Sequence, residues 1–341
     1  MTSGRATVRV VSAGALSTIQ DCGRRDVARY GVSPSGASDW FSARAANLLV
    51  GNDPCAPLLE TTLNGIAFEI ERHTNIAVTG AEAALEIGGS RARLWQAHWV
   101  AAGARVKVGL PLRGVRSYIA VAGGFDVPLV LGSASTDFGS GFGGFKGRAL
   151  RAGDALSICS PGPLRPGRAQ EPGTTSVSAP TAFRREAIPV WNSPAVLRIV
   201  PGPHRCALAD SAWMQLLSRE WSVSSRSTRQ GLALEGESLH TRATDVVSAG
   251  ACAGCVQITS AGLPVVLLAE HQTTAGYALV GCVISADLPH AAQARPGEGV
   301  RFELVSLAQA AVSHDVLERK LASGMTSGPA EDLSTGFFEG L

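Results

Sequence analysis

Between two apolar runs, Pro264 to Ala269 and Ala278 to Ile284, the chain places Glu270, His271, Gln272, Thr273, Thr274 and Tyr277. A carboxylate, an imidazole, an amide, two hydroxyls and a phenol thus share one strand-to-strand connection, where binding groups are often held by a rigid scaffold. As a general base His271 suits neutral pH, with Glu270 beside it as a second proton-transfer group. Gln272, Thr273 and Tyr277 offer hydrogen bonds to a polar substrate. A hairpin whose side chains satisfy its own backbone has the same composition, so both readings stand.

A second candidate is the glycine-rich run Gly132 to Gly147, G-S-A-S-T-D-F-G-S-G-F-G-G-F-K-G. Gly139, Gly141 and Gly144 form a G-x-G-x-x-G, but no strand-to-helix context surrounds it, which excludes a dinucleotide fingerprint. It is not a Walker A loop either. Its backbone N–H groups, including those of Gly143 and Gly144, together with Ser133, Ser135, Thr136, Lys146 and Arg148, compose a candidate phosphate cradle. The alternative is a solvated hairpin loop.

Further polar groups are scattered. Gln20, Asp21 and Arg24 lie in a turn before the first helix, with Asp21 a third candidate for catalysis and Arg24 a candidate for substrate binding. Asp39 stands at that helix's start, either as its cap or as a binding group. Arg116 and Tyr118 share one side of a strand that runs into Ala122-Gly123-Gly124. Arg229 and Gln257 flank strand patterns in the second half, and Gln293 precedes the closing turn. No metal site is read. Cys252 and Cys255 form a C-x-x-C, but no second pair follows at zinc-ribbon spacing, and A-C-A-G-C-V-Q-I reads as the start of a strand.

The elements that must position these groups are mostly strands. Ile66, Phe68 and Ile70 alternate with polar partners, as do Leu85 and Ile87, Val106 and Val108, and Val115, Ile119 and Val121. Ser38, Asp39 and the spacing of Trp40, Ala43, Ala46, Leu48 and Leu49 predict a helix ending near Gly51. Residues 161–194, rich in Pro, Gly, Ser and Thr, read as a linker. A helix is expected near Cys206 to Glu220, and a terminal one over Leu307 to Leu321, followed by a poorly ordered tail. Arg151-Ala-Gly-Asp-Ala-Leu-Ser-Ile and Arg295-Pro-Gly-Glu-Gly-Val-Arg-Phe repeat a turn and a closing strand, which suggests duplication.

Composition narrows the function. Thirty basic against twenty-eight acidic residues give a net charge of +2 with no Lys/Arg block, so no footprint for nucleic acid exists. No segment approaches the roughly 18 apolar residues that a membrane span requires, and the start lacks a signal-peptide core. A cytoplasmic protein with small-molecule or protein partners is expected. Seven cysteines, an odd number in a chain of 341 residues, are read as reduced thiols in small buried sites.

Taken in order, S-T-I-Q-D-C-G-R, Y-G-V-S-P-S-G-A-S-D, A-N-L-L-V-G-N, L-L-E-T-T-L-N-G, G-V-R-S-Y-I-A-V-A-G-G-F-D and G-S-A-S-T-D resemble one family. It contains component C of bacterial 5-oxoprolinase, KipA, and the allophanate-hydrolase-subunit-2-like part of urea carboxylase. G-L-P-V-V-L-L, Q-T-T-A-G-Y, S-A-D-L and A-R-P-G-E-G-V-R-F continue the likeness to about residue 305.

The resemblance implies a mainly β chain of two cyclophilin-like β-barrel domains, over 1–160 and 195–306, each with a helix, with a C-terminal helix and tail over 307–341. It implies a heteromer with two companions, the KipI-like component B and component A of the oxoprolinase, in which ATP with Mg2+ drives opening of 5-oxo-L-proline to L-glutamate. Two other roles are implied by relatives. One is the carboxyltransferase component of a biotin-dependent urea or amide carboxylase, and the other a KipA-like regulator without catalysis. Glu270-His271 stands where the family commonly has Asp-Arg, and Ser227 to Gly236 keeps Arg229 and Gly231 while lacking an aspartate and a second arginine.

Overall fold

Alternation of side chains along a strand gives each sheet two different faces, and the first half of the chain uses both. The computed structural model describes residues 7–159, 181–241 and 246–327. In the first half these fold into β1 (Thr7–Ser12), β2 (Leu16–Gln20), α1 (Trp40–Leu49), β3 (Leu58–Thr62), β4 (Ala67–Ile70), β5 (Thr74–Ile87), β6 (Ser90–Ala92), β7 (Ala97–Val100), β8 (Arg105–Val121) and β9 (Ala155–Ser157). The strands form one sheet along the path β2-β3-β8-β4-β1-β9, with the long β5 also laid on β8. Ile19, Leu59, Phe68, Ile119 and Val121 fill its concave side. On the other face α1 packs Phe41, Ala45 and Leu49 against Leu58, Ala77 and Tyr118.

The second half comprises β10 (Thr181–Phe183), β11 (Ala195–Pro201), α2 (Asp210–Ser218), β12 (Trp221–Val223), β13 (Gly231–Glu235), β14 (Ala249–Gly250), β15 (Cys255–Ile258), β16 (Pro264–Leu267), β17 (Thr274–Ala275), β18 (Ala278–Val283), α3 (Leu288–Gln293), β19 (Gly299–Leu304), α4 (Leu307–Ser323) and β20 (Met325–Ser327). Seven strands close a barrel in the order β11-β18-β15-β16-β13-β12-β19. Leu197, Ile199, Trp221, Leu232, Val256, Val266 and Phe302 fill it. Ser306 and Gln309 form a capping box that starts α4 where the period-3.6 pattern begins.

The expected pair of barrels is therefore one closed barrel and one half-barrel. In the first half the free edge of β2 is covered by the glycine-rich segment, not by another strand. Thr136 N donates to Ile19 O at 2.9 Å and Leu150 N to Ser17 O at 2.8 Å, while Ala134 and Leu150 enter the core beneath. This is a loop used to protect a sheet edge.

Four other expectations are modified. Gln20, read with Asp21 and Arg24 as part of a turn, is the last residue of strand β2. Of the expected linker, 161–180 lie outside the described residues, but 181–194 are structured: β10 pairs with β20, and Trp191 Nε1 donates to Gly80 O at 3.0 Å. The six-residue α3 was not anticipated, because six residues are too few to display a helical period. Cysteines are not uniformly buried thiols: Cys22 and Cys55 are disulfide-bonded with their Cα atoms 5.0 Å apart, and Cys159, Cys206 and Cys252 are exposed. The chain leaves Cys22, passes along α1 and returns, which brings the pair together.

The repeated turns do match. Arg151 N donates to Asp154 Oδ2 at 2.8 Å, and Arg295 N to Glu298 Oε2 at 2.9 Å. Each acidic residue closes its turn onto the arginine's backbone and starts the strand that follows. No helix among the described residues is long and apolar enough to cross a membrane.

Candidate functional site between the two halves

The antiparallel register of β3 and β8 sets Glu60 opposite Tyr118 and Thr62 opposite Arg116. With period 2, all four side chains leave the sheet on the face opposite Ile19, Leu59 and Ile119, the face on which α1 packs; Tyr118 lies under α1, and Glu60 and Arg116 reach groups of the second half. From the barrel, Arg229 and Glu270 meet them. Arg229 ends the loop before β13 and Glu270 follows β16. These strands are paired, and Glu270 N donates to Arg229 O at 2.9 Å, so the two side chains stand together on the barrel rim.

Arg229 joins the halves. Its Nε donates to Glu270 Oε1 at 2.8 Å, its Nη1 to Glu60 Oε1 and to Ser38 Oγ at 3.2 Å, and its Nη2 to Gly36 O at 2.6 Å. Ser38 N donates to the other oxygen of Glu60 at 2.9 Å, and Arg116 Nε lies 3.7 Å from Glu60 Oε1. Burial by itself raises a carboxyl's pKa, but the guanidiniums of Arg229 and Arg116 outweigh it and hold Glu60 below its ordinary range. Burial also opposes the charge on Arg229, yet Glu60 and Glu270 override it and hold that guanidinium more firmly protonated. Two carboxylates and two guanidiniums thus balance inside the interface.

Gln293, at the end of α3, is the second link. Its Oε1 accepts from Val115 N at 2.8 Å and Arg116 N at 2.9 Å, while its Nε2 donates to Asp39 Oδ2 at 2.8 Å and Arg116 O at 2.9 Å. Asp39 is the N-cap of α1 and also accepts from Ser42 N and Ser42 Oγ. Its complete burial, against these hydrogen bonds, pushes its pKa up to about 6. Tyr118 Oη accepts from Asp39 N at 2.8 Å, and burial raises the phenol's pKa. Asp39 and Tyr118 therefore fix α1 on the sheet, and neither is exposed to a ligand.

Beside this network a cavity of about 420 Å3 opens between the halves, lined by Arg116, Phe138, Thr228, Arg229, Leu268 and Glu270 among others. Its size is that of a small-molecule site, mostly apolar with a few convergent charges. Arg116 contributes a guanidinium whose Nη1 donates to Ala292 O while Nε, also buried, has no hydrogen-bond partner. Glu270 contributes a carboxylate whose Oε1 takes Arg229 Nε and, at 3.5 Å, Phe138 N.

Of the residues singled out in the sequence, Arg116, Arg229 and Glu270 come together here. His271 is adjacent in sequence but does not line the cavity; it is buried, with Nδ1 2.8 Å from Gln272 O. Gln272 and Tyr277 are exposed, Thr273 half-buried, and Gln272 Nε2 reaches only Gln257 Oε1 at 3.4 Å. These four lie elsewhere on the barrel.

The expected phosphate cradle is corrected by its own hydrogen bonds. Asp21 accepts from Ser133 Oγ at 2.6 Å, Ser135 Oγ at 2.5 Å, Ala134 N at 2.7 Å and Gly23 N at 2.8 Å. Thr136 Oγ1 donates to Ile19 O, and all three hydroxyl residues are fully buried. Gly143 and Gly144 have φ of +72° and +51°, and a Cβ there would collide with Ser135 O and Thr136 Oγ1 respectively, so glycine is needed for close packing. Arg148 is held bidentately by Asp154 at 2.8 Å and 2.8 Å. Lys146 alone of this group is exposed. Asp21 is accordingly a clamp for the loop and not a free base. Gln20 is buried and donates to Thr18 Oγ1 and Thr136 O. Arg24 donates to Val130 O and Ser135 O and stacks over Phe142 with its carbon 4.6 Å from the ring centroid. Both brace the same loop.

Glu60 and Gln293 complete the site in ways that local sequence signals barely mark. For Glu60 the one signal is a carboxylate inside the strand run L-L-E-T-T, where a charge must find a partner. Gln293 carries none beyond its place before the closing turn.

Residues 30–304 match the family described as "Carboxyltransferase domain, subdomain A and B". The 5-oxoprolinase component C of Escherichia coli is 37% identical over 311 residues, covering 89% of this chain and 93% of that protein. Its namesake from Haemophilus influenzae is 33% identical over 305 residues, with 89% and 93% covered. Among solved structures, the urea amidolyase of Kluyveromyces lactis aligns with a TM-score of 0.85 at 26% identity, over 98% of this chain but 21% of that one.

Proposed function

Because the chain belongs to the carboxyltransferase domain family, we propose that it is component C of an ATP-dependent 5-oxoprolinase, acting with component A and the KipI-like component B to open 5-oxo-L-proline to L-glutamate. Support comes from the two relatives of that name, matched over nearly their whole length. The observation that carries the reading is the cavity between the halves, where Arg116 and Glu270 face the same space and Arg229 orients the carboxylate. A small cyclic amide bearing a carboxylate suits that pairing. Arg116 binds the substrate carboxylate, and Glu270 handles a proton at the lactam or at the attacking water. In the glycine-rich loop Ser133, Ser135, Thr136 and Arg148 are already engaged by protein groups, so ATP with Mg2+ is not assigned to that loop, and no step here runs through it.

The test is glutamate release from 5-oxoproline by the purified assembly, with each component omitted in turn. Omitting this chain abolishes release, and Glu270→Gln lowers kcat by about 10²-fold or more. Arg116→Met raises KM. Unchanged turnover without this chain, or wild-type kinetics in both variants, would sink the reading.

The family match and the likeness to urea amidolyase support a second reading, transfer of a carboxyl group from carboxybiotin to urea or a related amide. An assembly silent toward 5-oxoproline that carboxylates urea with a biotinylated carrier would establish it in place of the first.

A further inference from the structure

One cluster lies apart from this cavity. The C-x-x-C of Cys252 and Cys255 has no second pair in the sequence, yet strand pairing supplies a third thiol: Cys255 opens β15 directly opposite Cys282 of β18. The Sγ atoms of Cys252, Cys255 and Cys282 lie within 4.8 Å of one another, and those of Cys252 and Cys255 are 3.5 Å apart. A disulfide needs about 2.05 Å. Three thiolates on one tetrahedral Zn2+ at about 2.3 Å stand about 3.8 Å from each other, and the trio is spaced for the second arrangement.

The backbone holds it. Cys255 N donates to Cys252 O at 3.2 Å, closing the turn, and Gly254 N donates to Leu267 O at 2.8 Å. Gly254 has φ of +93°, and a Cβ there would stand 2.6 Å from Val283 O and 3.3 Å from Cys282 Sγ. Glycine at this position is what lets the third sulfur approach. Leu267 and Leu279 pack against Cys255. Cys252 is exposed, so an ion would be reached from solvent on that side.

We propose that Cys252, Cys255 and Cys282 form a three-thiolate site for a thiophilic metal ion, Zn2+ foremost, with the fourth position on the solvent side. Each thiol releases its proton as its sulfur binds, and the ion ties β15 to β18 at one end of the barrel.

Co2+ is the probe, added to the full chain purified metal-free under reducing conditions. The expected result is one equivalent bound, with thiolate-to-cobalt charge-transfer absorption that Zn2+ abolishes by displacement. Cys252→Ser, at an exposed position, and Cys282→Ser each weaken binding at least tenfold, whereas Cys206→Ser leaves it unchanged. Zn2+ also raises the Tm of the parent chain and not that of Cys252→Ser. A folded, reduced parent chain that shows no charge-transfer band overturns the proposal, as do undiminished bands in Cys252→Ser.

Discussion

Arg229→Met is the sharpest perturbation of the interface. The side chains of Arg229, Glu60 and Glu270 are 3%, 1% and 6% exposed, so the two carboxylates depend on protein groups more than on bulk water for their partners. Methionine fills much of the space but leaves Glu60 with Arg116 Nε at 3.7 Å and Ser38 N, and Glu270 with Phe138 N at 3.5 Å. Removing one partner of a buried ion pair costs about 3–5 kcal/mol, and because two carboxylates lose a partner here the upper end is expected. For a chain of this size that is roughly 2 °C in Tm per kcal/mol, hence a fall of about 10 °C at neutral pH.

The pH dependence supplies a second readout. In the parent chain Glu60 is held below its ordinary 4.5, so its contribution to stability is present above that pH and is lost as pH falls through the lower folded value. Without Arg229 the burial effect gains weight at Glu60, and lowering the pH relieves the damaged interface instead of weakening it. Arg229→Met/Glu270→Gln recovers part of the loss, since one uncompensated charge is gone. Thermal melts of the three proteins from about pH 5 to pH 8 measure all of this. A single variant that melts within about 2 °C of the parent at neutral pH, less than about 1 kcal/mol at this size, would refute the network as drawn. A double variant no more stable than the single one would do the same.

Two further outcomes are expected. Asp39, raised from 3.8 to about 6, favours its protonated form in the folded chain, so its contribution to stability declines as pH rises from about 4 to 6; Asp39→Asn flattens that slope in pH-dependent melts. Asp21→Ala frees Ser133 Oγ, Ser135 Oγ and Ala134 N. Because hydrogen bonds to a charged group are worth about 1.5–3 kcal/mol, the Ala134 amide should exchange its hydrogen at least tenfold faster, and an unchanged rate would contradict the clamp.

Much of the fold was legible because it depends on local order. Alternation marked β4, β5 and β8, the Asp39 cap and the apolar spacing marked α1, and Leu307 to Leu321 marked α4. The turns at Arg151 and Arg295 were legible as a repeat because each is closed within four residues. What failed were elements with too little local signal, such as the six-residue α3, and the identity of the partner for each polar group. Asp21, Ser133 and Ser135 looked like site residues because hydroxyls and a carboxylate are equally apt for a ligand and for one another, and sequence carries no distance between positions 21 and 133.

The sequence by itself determined a mainly β chain in two halves, the family that its ordered motifs resemble, and Arg116, Arg229 and Glu270 as candidate binding or catalytic groups. Only the tertiary structure decided that these three converge, that Glu60 and Gln293 complete the interface, and that Cys282 joins a C-x-x-C. The reason is physical. A strand's period tells which face a side chain leaves from, whereas its neighbour on that face is set by register and by the packing of one half on the other, over separations of 169 residues for Arg229 and Glu60 and 177 for Gln293 and the Arg116 amide.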